Sequence, residues 1–420
     1  MGAGYGELLR ARHAARLLAG TLVGRLPNAT ASLSVVLFVR AEGGSYALAG
    51  SLAAVYGVCT AIGQPLLGRA VDRWGQPRVM LPAAVLSALG MALLAVAGPD
   101  LPVVPWAAVA IAGLFTPPLE GGLRALWPGV LRRADQVHAA YALDAVAQEV
   151  MYVVGPLLVT LCVGFWSAGV ALLVINALGV LGALSVVVSG PSRRWRSGPR
   201  EAHWLGALRS AGLRVLLGSF FFVGLALGSV EVAAVAYADE RGGQVVASYL
   251  LSALSAGALV GGLVYGARAW PGRPEGRLRL LIGLLALGYL PLVLVPGVAG
   301  MTALGGLAGL FLAPSLACAF VVVDRHAPKG TVTEAFSWLV TMFGVGAATG
   351  ASVSGPAVGS GGAVAGFAVA GAGGLAALCV ILSMKRFLGE PPVQPTAGAP
   401  TTENDRNGAV EPGFRAGRQA

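Results

Sequence analysis

The stretch GRAVDRWGQPRVM, residues 68–80, is a charged turn between two long apolar runs. Gly68 and Gly75 allow close backbone approach or a positive φ. Asp72 can accept hydrogen bonds from the N-terminus of a neighbouring helix, or pair with an arginine. Together with Arg73, these residues are typical of a tight basic loop at one face of a membrane.

The composition on either side of this turn predicts a chain that lies in lipid. Of the 420 residues, 56% are apolar and 11% are charged, whereas soluble domains carry about 25% charged residues. No soluble core could absorb so much apolar sequence. The 62 glycines fit membrane helices that pack closely through small residues. We therefore predict an all-α polytopic membrane protein.

Twelve segments are apolar over the ~20 residues that a membrane-spanning helix needs. The longest connection, residues 190–212, is basic and rich in Gly, Pro and Ser, and it separates two sets of six. The predicted spans are 17–39, 46–67, 79–98, 103–125, 138–162, 167–189, 213–237, 246–267, 278–296, 299–322, 333–357 and 362–384.

These spans predict a division of the chain into five parts. Two six-helix bundles are joined by the linker and flanked by two terminal segments, of which the polar C-terminal one is expected to be disordered. The parts are an N-terminal segment 1–16, a first bundle 17–189, a linker 190–212, a second bundle 213–386 and a tail 387–420.

The distribution of positive charge predicts the orientation. With a cytoplasmic N-terminus, Arg40 and Arg241 fall outside and Arg25 lies within the first span. The other 26 of the 29 Lys and Arg residues fall on the cytoplasmic side, as the positive-inside rule requires. We expect a multi-pass protein of the plasma membrane with both termini in the cytoplasm. The net charge of +10 then reflects topology, and no nucleic-acid partner is expected.

The spacing within the turn resembles a family signature. Gln76 and Pro77 stand where that signature often has basic residues, and Arg78 follows one step later. The chain thus resembles the major facilitator superfamily, whose members carry G-x-x-x-D-R-x-G-x-[RK]-[RK] in this loop. Longer stretches such as ALDAVAQEVMYVVGP resemble its twelve-helix members from high-GC actinobacteria. The positions that match are Gly68, Asp72, Arg73 and Gly75.

The resemblance implies a fold of two six-helix bundles and transport by alternating access. It also implies that Asp72 and Arg73 act in the conformational change and do not touch substrate. Asp72 would engage the start of helix eleven near Thr333 and Glu334, or else Arg124. The corresponding loop of the second half, GLVYGARAWPGRP, has no aspartate, so we expect that side to be closed differently.

Five charged residues lie within or at the edge of predicted spans one, four and five. At ~1.5 Å per residue, Arg25 lies ~12 Å deep, Asp144 ~9 Å and Glu149 ~16 Å. Glu120 and Arg124 lie near the inner rim. Charges inside a membrane almost always face the protein interior or each other. One interpretation is a static ion-pair network, above all for Asp144, Glu120 and Arg124.

Glu149 has a second interpretation because it is the deepest and has apolar neighbours. A carboxylate whose charge depends on water access, and on whether Arg25 reaches it, is suited to carry protons. The following Gly155 and Pro156 permit a bend and resemble the core of an antiporter motif. Further candidates for cavity lining are Asn28, Gln148, Tyr152, Glu231 and Trp338. Glu231 has an alternative as a rim residue beside Asp239 and Glu240.

No residue pattern predicts a cofactor or a metal. The four cysteines form no CxxC pair, and neither lysine lies in a phosphate-binding loop. We predict a secondary transporter, not an enzyme, that exports small organic molecules in exchange for protons. The alternative is a proton-coupled importer, and a remote one is a membrane enzyme or scaffold. The expected partners are a small-molecule substrate, protons and the lipid bilayer, and the protein is expected to be a monomer.

Overall fold

The structure, a computed structural model, describes residues 5–131, 133–199, 204–241 and 243–383. Every regular element in these ranges is a helix, which confirms the all-α prediction. The predicted tail 387–420 lies outside the described residues. The described chain is part of one compact unit, so the division into bundles 17–189 and 213–386 stays a prediction.

Within the described residues, the first part of the chain holds nine α-helices: five are longer than fifteen residues, and two shorter ones are paired across a break. They are α1 (Tyr5–Arg10), α2 (Ala14–Ala41), α3 (Tyr46–Trp74), α4 (Gln76–Ala97), α5 (Val104–Leu114), α6 (Leu119–Val130), α7 (Ala134–Phe165), α8 (Ala168–Val187) and α9 (Gly190–Arg194).

The second part follows a short 3₁₀ helix at Gly206–Arg209. A second 3₁₀ helix, Leu290–Leu294, extends the third long helix of this part. The α-helices are α10 (Ala211–Arg241), α11 (Gln244–Gly266), α12 (Pro274–Tyr289), α13 (Val298–Gly309), α14 (Leu312–His326) and α15 (Val332–Ser383).

Ten helical stretches of the described chain are long and apolar enough to cross a membrane, and two features account for the difference from twelve. The predicted fourth span is broken into α5 and α6 around Pro117 and Pro118, because proline lacks the backbone donor that a continuing helix needs. The predicted eleventh and twelfth spans both lie within α15. Its backbone leaves the helical conformation at Gly361 and Gly362, where glycine tolerates the positive φ of Gly362.

Small residues allow the long helices to pack at short distance. A Cβ on Gly182 of α8 would overlap the backbone nitrogen of Gly24 in α2. In the second part, a Cβ on Gly346 of α15 would overlap the carbonyl of Phe221 in α10. Close packing of this kind supplies the van der Waals contacts that hold helices together in lipid.

The two parts meet along one seam. It is formed where α3 and α6 pack against α15, and where α7 packs against α11 and α14. Three aromatic side chains lie in it, Tyr141 of α7, Phe320 of α14 and Phe336 of α15. Their ring centroids are 6.1 Å (Tyr141–Phe320), 6.0 Å (Tyr141–Phe336) and 6.3 Å (Phe320–Phe336) apart. We call this trio the aromatic seam.

Candidate functional site

Four charged side chains form one buried network between α2, α6 and α7. Asp144 is fully buried and accepts hydrogen bonds from Arg25 Nη1 at 2.7 Å and Arg124 Nε at 2.6 Å. Glu120 contacts the same two arginines, at 3.0 Å from Arg25 Nη2 and 3.3 Å from Arg124 Nη2. Two cations and two anions make the network neutral, so its charges are paired within the protein, and Arg124 Nη1 is the one buried guanidinium nitrogen of the network without a hydrogen-bond partner among the described residues.

Side chains around the network hold the two arginines in place. Arg25 Nη2 also donates to the amide oxygen of Gln148 at 3.3 Å. The Arg124 guanidinium lies over the ring of Phe320, 3.7 Å from its centroid, in a cation–π contact. Because Phe320 belongs to the aromatic seam, the network is physically connected to the contact between the two parts of the chain.

Glu149 lies apart from this network. It is 8% exposed and has no ion pair or hydrogen bond to any residue that the structure describes. Arg25, which the sequence offered as a partner, is engaged by Asp144 and Glu120 instead. The charge that acts on Glu149 is the carboxylate of Glu231 on α10. The predicted five-residue group is therefore a closed four-residue network and one unpaired acid.

Two adjoining cavities open beside the network, of about 430 Å³ and about 410 Å³ when space open to the surface is counted. Arg25, Asn28 and Glu120 line both. Gln148 and Tyr152 line the second. Of the five predicted cavity residues, three are therefore in these cavities. The other two, Glu231 and Trp338, line neither.

The first cavity has a polar wall that the sequence analysis did not identify. The Tyr56 hydroxyl lies 3.1 Å from Thr116 Oγ1 and donates to Asn28 Oδ1 at 3.5 Å. Gln64 Nε2 donates to the carbonyl oxygen of Thr116 at 3.5 Å. The sequence could have predicted this wall, because Tyr56, Thr60 and Gln64 are spaced four residues apart on α3 and therefore share a helix face.

The two predicted residues outside these cavities lie in the second part. The Glu231 side chain is exposed although α10 is buried on either side of it, at Val230 and Ala233. The Trp338 side chain is half-buried, and its Nε1 has no hydrogen-bond partner among the described residues.

The charged turn of residues 68–80 contacts the start of α15. Asp72 Oδ1 accepts the backbone N–H of Thr333 at 3.1 Å, and Oδ2 accepts that of Glu334 at 2.9 Å. A carboxylate here satisfies N–H groups that lack partners within the helix and complements the helix dipole. The resemblance implied two possible partners for Asp72. The structure shows the first, the start of predicted helix eleven, which is the N-terminus of α15. The other, Arg124, pairs with Asp144.

The other signature residues have different surroundings. Gly68 lies where α3 approaches α15, since a Cβ there would come within 2.6 Å of Ser337 Oγ. Gly75 ends α3 with a φ of +86°, a conformation that favours glycine. Arg73 and Arg78 are exposed, and neither has an ion pair within the part of the chain that the structure describes.

One departure from the family signature, Gln76, has a structural explanation. Gln76 is fully buried, donates to the carbonyl of Gly122 at 2.9 Å and accepts from Ser192 Oγ at 2.8 Å. A basic residue would introduce an unpaired buried charge at this position, which is costly. An unpredicted ion pair lies nearby, with Arg69 Nη2 at 2.6 Å from Glu334 Oε1.

The second part lacks an equivalent aspartate, and the N-terminal helix occupies that region. Tyr5 of α1 donates its hydroxyl to the carbonyl oxygen of Leu263 in α11 at 2.8 Å. Burial raises the pKa of Tyr5 to about 12, so the hydroxyl remains a donor at neutral pH. The absence of a side chain at Gly266 allows Tyr5 to approach α11, because a Cβ at this position would overlap the Tyr5 hydroxyl and Ala142.

Gly155 and Pro156 lie within one continuous helix. α7 runs from Ala134 to Phe165 through both residues. Gly155 faces Thr30 of α2, whose Cγ2 would be 2.9 Å from a Cβ at that position. The bend predicted for this pair stays a prediction.

Long apolar helices that enclose polar cavities and a buried ion network are typical of multi-pass membrane transporters. The sequence profile of the Major Facilitator Superfamily matches residues 17–304. The chain belongs to this superfamily, as its charged turn indicated. Its members are transporters of small molecules and not enzymes. No curated protein matches the chain.

Three solved structures show the same fold at low sequence identity. The human organic anion transporter MFSD10 (TETRAN) matches with a TM-score of 0.67 and 16% identity, over 87% of this chain and 99% of that one. A bacterial homologue of the iron transporter ferroportin, in an outward-facing state, gives 0.70 and 16%, over 89% and 99%. The Escherichia coli fucose:proton symporter FucP gives 0.66 and 14%, over 90% and 98%.

Proposed function

We propose that the protein is a secondary active transporter that exports small organic molecules in exchange for protons by alternating access. The observation that carries the proposal is the isolation of Glu149. Every other acid in the buried group is paired with arginine, whereas Glu149 is buried and unpaired. A carboxylate of this kind can take up and release a proton as water access changes.

The surroundings of Glu149 support a role in coupling. Glu231 of α10 acts on it electrostatically, and Tyr289 of α12 lies within range of both acids. On its own helix, Tyr152 follows Glu149 by three residues, and the two side chains interact electrostatically. Because α7 and α10 belong to different predicted bundles, movement of one bundle against the other would change the distance between the two acids.

The proposed resting state is open to the outside. The seam, the Asp72 contact and the Tyr5 contact all lie at the arginine-rich end, which the positive-inside rule predicts to be cytoplasmic. Closure at that end leaves access from the other. Opening to the cytoplasm would then require Asp72 to release the start of α15. In this proposal both termini are cytoplasmic, the membrane is the plasma membrane and the protein works as a monomer.

The resemblance of Gly155 and Pro156 to an antiporter motif supports export. The second candidate is proton-coupled import, which the similarity in fold to a fucose:proton symporter favours. The two differ in the direction in which substrate moves when protons enter.

The test is a growth-inhibition panel in an efflux-deficient bacterial host. We would express the wild type, Glu149→Gln and the control Asp239→Asn, an exposed acid on α10, at matched membrane levels. Export predicts resistance to some compounds with the wild type and the control, lost in Glu149→Gln. Sensitisation by the wild type would favour import. Resistance that persists in Glu149→Gln would contradict the role of Glu149.

A further inference from the structure

We propose that the surface formed by residues 73–78 and residues 189–196 binds an anionic phospholipid of the surrounding bilayer. The inference concerns a bound lipid and does not depend on the direction or the coupling of transport. The two segments contain no acidic residue and five arginines, Arg73, Arg78, Arg193, Arg194 and Arg196. All five are exposed, and none has an ion pair to a residue that the structure describes. We call them the arginine patch.

Direct contacts hold the two segments together. Ser192 Oγ of α9 donates to Gln76 Oε1 at the start of α4 at 2.8 Å, and both side chains are fully buried. Arg196 Nη1 lies 3.3 Å from the position that a Cβ on Gly75 would occupy. The Arg196 guanidinium therefore lies over the charged turn, and the arginines of both segments form one surface.

The arginine patch keeps most of its hydrogen-bond donors free. Arg196 Nη1 donates to the carbonyl oxygens of Arg193 at 3.1 Å and Trp195 at 2.7 Å. The other two nitrogens of this guanidinium have no hydrogen bond to a described residue. A guanidinium presents five N–H donors in a planar fork, and this geometry matches the oxygens of a phosphate group. A phosphate would supply both the acceptors and the negative charge that the surface lacks.

Two exposed apolar helix faces lead to the arginine patch. Their side chains recur at intervals of three and four residues, which places each row on one helix face. The rows are Leu86, Leu89 and Leu93 on α4, and Leu181, Leu184 and Val188 on α8. The α4 row continues through the exposed Pro82 to Arg78, and the α8 row ends directly before α9. Because α4 and α8 pack against each other, acyl chains along this helix pair would bring their headgroup to the arginines.

An amphiphilic anion fits this arrangement better than a soluble one. A free phosphate would occupy the arginines and leave both apolar rows uncovered. Trp74, next to Arg73, is 58% exposed, and tryptophan is enriched where hydrocarbon meets the lipid headgroups. Basic segments beside a membrane attract lipids of net negative charge. The arginine patch and the two rows together therefore select a phospholipid with an anionic headgroup.

The test compares two lipids that share their acyl chains and differ in headgroup charge. Binding of dioleoyl phosphatidylglycerol and dioleoyl phosphatidylcholine to the full chain in detergent would be measured by native mass spectrometry. We expect the anionic lipid to bind at least about tenfold more tightly. Arg78→Gln and Arg193→Gln, one from each segment, should each weaken its binding about fivefold. Arg78→Lys, which keeps the charge, should retain most of the affinity.

Arg268→Gln is the matched control, since it removes one exposed arginine just after α11 and should leave binding unchanged. Each variant is compared only after its elution and thermal unfolding match the wild type. Equal affinity for the two lipids, or equal weakening by Arg268→Gln, would overturn the inference. Weakening by only one of the two glutamine variants in the arginine patch would reject a site shared by both segments.

Two further measurements identify the source of the phosphate and the place where it binds. Glycerol 1-phosphate, which has the anionic group without acyl chains, should not displace the lipid at about a hundredfold excess. Full displacement would make the surface a site for soluble anions and reject the lipid. In nanodiscs, hydrogen–deuterium exchange at residues 73–78 and 189–196 should be slower with phosphatidylglycerol than with phosphatidylcholine. Equal exchange in the two lipids would contradict the assignment.

Discussion

Tyr5 and Leu263, 258 positions apart in the chain, are joined by a hydrogen bond of 2.8 Å. The bond links α1 to the C-terminal end of α11, the helix that packs against α7 in the seam. Asp72 makes the corresponding connection from α3 to the start of α15. The second half of the chain has no aspartate in its own loop, and on that side the Tyr5 side chain makes the contact to α11.

Tyr5→Phe should loosen the Tyr5 side of this closure. Loss of one hydrogen bond is worth about 1 kcal/mol, or about a fivefold shift toward the open form. Hydrogen–deuterium exchange should rise in residues 5–10 and 262–268, while Tyr46→Phe, at an exposed position, should change nothing. Because the pKa of Tyr5 is about 12, the wild-type protection should be constant from pH 6 to 9. Protection that varies over that range would contradict the assignment.

Asp72→Asn should weaken the other connection. The variant retains one acceptor but loses the negative charge at the N-terminus of α15, at a cost of about 1 kcal/mol. Exchange should increase at residues 332–336, and transport should slow without a change in substrate affinity. The comparison is Asp100→Asn in the exposed loop after α4. A large loss of affinity in Asp72→Asn would mean that Asp72 contacts substrate.

Asp144→Asn should destabilise the fold more than any change at Glu149. It leaves two buried arginines with half of their partners, and breaking a buried ion pair costs about 3–5 kcal/mol. Thermal unfolding in detergent should show a clear fall in Tm. Asp135→Asn removes a half-buried partner of the exposed Arg133 and should leave Tm nearly unchanged. Equal effects of the two substitutions would show that the network is not structurally important.

Gly182→Ala should disrupt the contact between α8 and α2. The added Cβ would overlap the backbone of Gly24, and overpacking of this kind costs about 1–3 kcal/mol. Gly57→Ala on α3 is the matched control, because nothing lies within 4 Å of the added carbon. It should be neutral or stabilise the helix by about 0.5–1 kcal/mol. A Tm that rises in both variants would contradict the close approach.

The linear order of residues determined the features that depend on composition and local spacing. Runs of about twenty apolar residues must be helices in lipid, because only helices satisfy their own backbone groups there. The basic turn of residues 68–80 indicated the family, and this resemblance implied that Asp72 would engage either the start of helix eleven or Arg124. The breaks at Pro117 and at Gly361 were less predictable, because a span's hydropathy does not reveal where its helix is interrupted.

Only the tertiary structure decided which polar groups meet. Depth along a helix placed Glu149 near Arg25, but in the folded chain Arg25 pairs with Asp144 and Glu120 and leaves Glu149 without an ion pair to a described residue. Tyr289 had no signal at all, since a tyrosine in an apolar run is usually packing. Partners that are tens or hundreds of positions apart are selected by helix rotation and packing, and these depend on the whole set of neighbouring helices.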